Sequence, residues 1–147
     1  MEINKVNIFG ASLSLIILVI CCLIFVFRLM GHQKVEYWLG LILILMVFPL
    51  TFLLINAKQF HRPPIYYIQI AIMIAFLILE LFLDYIYKLE FRKVPWIVVI
   101  YLVFFFGGTG GMIGIASQAG RDWMIAAAAL FLIMTILAFV QRAITGM

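Results

Sequence analysis

IYYIQIAIMIAFLILELFLDYIY, residues 65–87, decides the class of this chain. At about 1.5 Å per residue it is long enough to cross the roughly 30 Å hydrocarbon core of a bilayer as one helix. Its only formal charges are Glu80 and Asp84, one helical turn apart near its far end. Comparable apolar runs occur at 7–27, 37–57, 94–117 and 123–140, each separated from the next by a short charged break. The expected fold is therefore an all-α integral membrane protein. Its five transmembrane helices form an up-down bundle, and residues 1–147 make a single domain.

Composition points the same way. Of the 147 residues 68% are hydrophobic and 11% charged, and the mean hydropathy is +1.27. A water-soluble domain of this size has too little interior to hide so much apolar surface. The net charge of +4 comes from cations set singly or in pairs between apolar runs, which excludes the continuous basic face that nucleic acid requires. Those cations mark sidedness instead. Arg28, Lys34, Lys88, Arg92, Lys93 and Arg142 share one side, whereas Lys5, Lys58, Arg62 and Arg121 share the other. Six against four places the C-terminus in the cytoplasm and the N-terminus outside, with a bacterial or archaeal plasma membrane as the expected location. The first run is too long for a cleavable signal's apolar core and has no small-residue cleavage site after it, so it reads as a permanent span.

The breaks carry helix punctuation. Pro63, Pro64 and Pro95 stand where helices should begin, Gly120 where one should end, and Asp122 is expected as an N-cap. Pro49 should bend the second span and leave the Leu45 carbonyl without its usual donor, with Thr51 expected to re-satisfy the backbone.

With α-helical periodicity, Tyr66, Gln69, Met73, Phe76, Glu80, Asp84 and Tyr87 line one side of the third span. Lipid rejects such a polar stripe, so it must face protein or water. If the span is centred near Phe76, Glu80 lies about 6 Å from the midplane and Asp84 about 12 Å. An ionised acid near the centre costs about 2.5–3.5 kcal/mol, so Glu80 needs a cation, a hydrogen-bonding partner or a bound proton. The functional reading is a proton, cation or small-solute site built from Glu80, Asp84 and Gln69, with Tyr101 and Thr109 supplying hydroxyls from the fourth span. The structural alternative pairs Asp84 with Lys88 and lets Glu80 hydrogen-bond to a neighbouring helix.

The fourth span contains FFFGGTGGMIGIASQAG, residues 104–120. Gly107, Gly110, Gly111 and Gly114 recur at spacings of three and four, the pattern that lets another helix approach closely. Ala126–Ala129 of the fifth span is the expected partner. An unwound glycine segment lending carbonyls to a solute is the sharper alternative. A phosphate loop is excluded, because Met112 and Ile113 follow the glycines where lysine and serine or threonine are needed.

No cofactor, metal site or catalytic constellation is expected. His32 and Glu36 stand one turn apart, yet two ligands do not make a metal site, and His61 has no companions. Ser12, Ser14 and Ser117 lie in no nucleophile turn, and the adjacent Cys21 and Cys22 read as packing residues. The expected function is a small transporter or channel-like protein using the intramembrane acid pair, with the lipid bilayer and a second copy or another membrane protein as partners. The alternatives are a non-transporting accessory subunit that binds through its glycine-rich helix, and an intramembrane enzyme acting on lipid.

Overall fold

The computed structural model describes residues 3–57, 63–86 and 95–145, and every regular element among them is helical. The first span is α1, Ile3–Met30. The second is made of α2, Gln33–Leu45, and α3, Val47–Ala57. The third is α4, Pro64–Glu80, continued by a π-helical segment, Leu81–Ile86. The fourth and fifth are α5, Pro95–Ser117, and α6, Arg121–Thr145. Five segments are long and apolar enough to cross a membrane, Lys5–Met30, Gln33–Ala57, Pro64–Leu83, Pro95–Ser117 and Arg121–Ile144. The protein is an all-α, five-helix integral membrane bundle. The helices outrun the apolar stretches because Gln33, Lys34, Arg121 and Arg142 extend them into the polar boundary, where lipid no longer limits composition.

Local chemistry explains the helix ends. Gly31, at φ 78°, stops α1. Its N–H donates to the Arg28 carbonyl at 3.2 Å, and the His32 N–H reaches back to the Phe27 carbonyl at 3.0 Å. This is the paired cap that a left-handed glycine allows. It joins α1 to α2 through two residues. Pro64 opens α4 after an extended Pro63, and Pro95 opens α5, as their fixed φ favours. Gly120, at φ 141°, separates α5 from α6. Asp122 is not the expected N-cap. The helix already starts at Arg121, which puts the carboxylate in the first turn, where the helix dipole favours it.

The second span breaks at Met46, whose N–H turns back to Leu43 at 3.0 Å, and it resumes before Pro49. Thr51 does bond to the backbone as expected, but through Val47 O at 2.7 Å, one turn back on its own helix, and not through the Leu45 carbonyl.

The glycine face also has a different partner from the expected one. A Cβ added at Gly107 would meet Ile72, one at Gly108 would meet Met73, and one at Gly111 or Gly114 would meet Gln69, so these four glycines lie against α4. Gly110 alone turns toward α6, where Phe131 is 3.8 Å from that position. The flat side of α5 admits the thick side chains of Gln69, Ile72 and Met73, and α4 with α5 forms the most extensive helix pair. The alanine run belongs to a helix that packs chiefly along α1 instead. α5 continues unbroken through the glycines, so no turn is unwound there.

Candidate functional site at Glu80

Glu80 ends α4 with only 9% of its surface exposed. The Tyr101 hydroxyl, delivered by the antiparallel α5, donates to Oε2 at 2.5 Å. That separation belongs to charge-assisted O–H···O bonds. A hydrogen bond to a charged group contributes about 1.5–3 kcal/mol, comparable with the insertion cost of a membrane carboxylate. Tyr101 thus meets most of the need that the sequence raises.

Aromatic rings form the bed beneath this pair. Phe76, one turn before Glu80, meets Tyr101 edge-on with centroids 5.4 Å apart and Phe105 at 5.3 Å. Tyr101 and Phe105 stack at 6.3 Å, and Phe25 of α1 packs edge-on against Phe105 at 5.8 Å.

A second polar pair stands beside the first. Arg28 at the end of α1 meets Glu36 at the start of α2, with Nη2 2.5 Å and Nε 2.6 Å from Oε1. Their side chains are 13% and 23% exposed, and the guanidinium carbon lies 5.7 Å from the Phe25 ring centre. Arg28 is also within electrostatic reach of Glu80 and Tyr101. Glu36 therefore does not pair with His32, which sits edge-on to Phe27 at 6.1 Å. The tight Gly31 turn folds α2 back so that Glu36 faces Arg28. Arg28→Leu should leave Glu36 half-buried without its cation and lower stability by about 1–3 kcal/mol, below the cost at a fully buried pair. Thermal unfolding in detergent would register this, and combining it with Glu36→Leu should restore part of the loss.

Glu80, Tyr101 and Arg28 border a cavity of about 90 Å³. Cys21, Phe76, Glu80, Phe105 and Gln141 form its buried floor. Val98, Leu102, Ala138 and Arg142 form a part-exposed rim along α5 and α6. It is roomy enough for several water molecules or a small polar group. Its lining runs from Leu43 and Cys21 in the membrane interior to Arg28 and Arg142 near one end of the bundle.

The expected site residues do not all converge. Gln69 packs against Gly111 and Gly114, about three helical turns from Glu80. Thr109 donates to the Phe105 carbonyl at 2.6 Å, about two turns along α5 from Tyr101. Asp84 lies in the π segment, with its side chain, like Tyr87, Lys88 and His61, outside the described residues. Arg28, Glu36 and Gln141 are the additions. Arg28 and Glu36 stand out in the sequence only as single charges, and Gln141 only as a polar residue beside Arg142 after an apolar run, as helix ends often look. Among the described residues no three His, Cys, Asp or Glu side chains gather as metal ligands would. Cys21 and Cys22 are both free thiols.

No protein-family profile matches the chain, and no curated protein or solved structure resembles it.

Proposed function

We propose that this protein is a small transporter or channel-like protein in which Glu80 binds a proton, a cation or a small polar solute. The observation that carries this reading is a carboxyl group inside the bundle that lines a cavity and shares a short hydrogen bond with a tyrosine. The Glu80 carboxylate can take up a proton from the cavity while Tyr101 donates to it, so the pair can pass one between cavity and protein. The cations at the same end, Arg28, Lys34 and Arg142 among them, support a cytoplasmic mouth. A second copy, or a tilt of the helices, would supply the path to the opposite face. The accessory-subunit reading is weaker, because α4 of the same chain covers most of the glycine face through which it would act.

The experiment is reconstitution into vesicles carrying an internal pH dye, with proton and alkali-cation gradients imposed in turn. Flux above that of protein-free vesicles is expected. Tyr101→Phe should slow it by about three- to tenfold, the value of one hydrogen bond to a charged group, with little change in unfolding temperature. No flux under any gradient would defeat the transport reading.

A further inference from the structure

The walls around Glu80 differ from those of an inorganic-ion site. Calcium takes six to eight oxygen ligands, whereas this floor offers one carboxylate, the Tyr101 hydroxyl and the Gln141 amide, with the Cys21 thiol, among rings and aliphatic groups. A small hydrated ion must give up much of its water to enter here. An alkylammonium group gives up much less water, and aromatic faces attract it. Phe76, Tyr101 and Phe105 all line the cavity with Glu80.

The rim adds a second requirement. Val98, Leu102 and Ala138 are apolar, part-exposed and within membrane-spanning segments, so the opening between α5 and α6 faces acyl chains. Arg142 stands exposed on that rim, and among the described residues no ion pair engages it. The other arginine of the cavity, Arg28, is held by Glu36. The occupant should therefore carry a cation for the floor, an anion for Arg142 and an apolar body for the seam.

Resting on the reading that the Glu80 cavity is the working site, we propose that it takes the zwitterionic headgroup of a membrane lipid, an ammonium joined to a phosphate ester. The ammonium sits on Glu80 and the rings, the phosphate meets the fork of Arg142, and the acyl chains stay between α5 and α6.

Native mass spectrometry of the detergent-solubilised protein tests this with four probes, short-chain phosphatidylethanolamine, short-chain phosphatidylglycerol, dodecyltrimethylammonium and free phosphoethanolamine. Phosphatidylethanolamine should be retained about tenfold better than phosphatidylglycerol, and Glu80→Gln should erase that preference. Arg142→Gln should weaken phosphatidylethanolamine about fivefold while leaving dodecyltrimethylammonium bound at least as well. Equal or better binding of phosphatidylglycerol, or a preference that survives Glu80→Gln in a protein of unchanged unfolding temperature, would overturn the proposal. Free phosphoethanolamine binding as tightly as the lipid would overturn the bilayer as its source. Lost preference with intact proton flux would sink this assignment alone, and intact preference without flux would sink only transport.

Discussion

Glu80→Gln is expected to abolish flux, lowering the rate in reconstituted vesicles by at least about a hundredfold, as removal of a positioned proton-transfer group does. The amide has nearly the shape of the carboxyl, and its oxygen can still accept the Tyr101 hydroxyl that now lies 2.5 Å from Oε2. It cannot take up or release a proton, and it offers no charge to a cation. The fold should survive, because the substitution removes an expensive intramembrane acid and keeps its hydrogen bond. Dye-reported flux and thermal unfolding, measured on one preparation, separate the two effects. Unchanged flux in the variant would reduce Glu80 to a helix staple.

Gly108→Val should be the most damaging single change to the bundle. A Cβ at Gly108 falls 3.0 Å from Met73 Sδ and 3.1 Å from Met73 Cα. The sulfur can swing away, but the Cα belongs to the backbone of α4 and cannot. The helices must separate, and the most extensive contact in the protein goes with them. A loss of about 3 kcal/mol or more is expected, at the upper end for overpacking. Gly110→Ala is the control, since Phe131 lies at an ordinary 3.8 Å and α5 gains a better helix former. It should be neutral or stabilising by up to about 1 kcal/mol. Reversible unfolding in mixed micelles would rank the two. Gly108→Val should also suppress flux, because the strand of contacts it breaks holds Tyr101 against Glu80.

Much of the architecture could be read from residue order, because lipid imposes a simple condition on length and hydropathy. The span starts at Pro64 and Pro95 follow from the same logic, since proline suits a first turn wherever it falls. Partnership was harder. The glycines of α5 announce a flat face, but not which neighbour it receives, and the thick face of α4 has no signature in one dimension. Arg28 and Glu36 pair only because Gly31 folds the chain back sharply, so their separation in sequence hides the contact. Depth misled as well. Face and polarity point to Thr109 and Gln69, yet each lies turns away from Glu80 along its helix axis. The π segment that carries Asp84 has no compositional mark.

The near-touching backbones at Gly108 and Met73 have a mechanical meaning. Two rods already touching partway along their length cannot close further at that point, so a closing at the Gln69 end widens the Glu80 end. The helix pair is in that sense a see-saw, and the carboxyl rides on one of its arms.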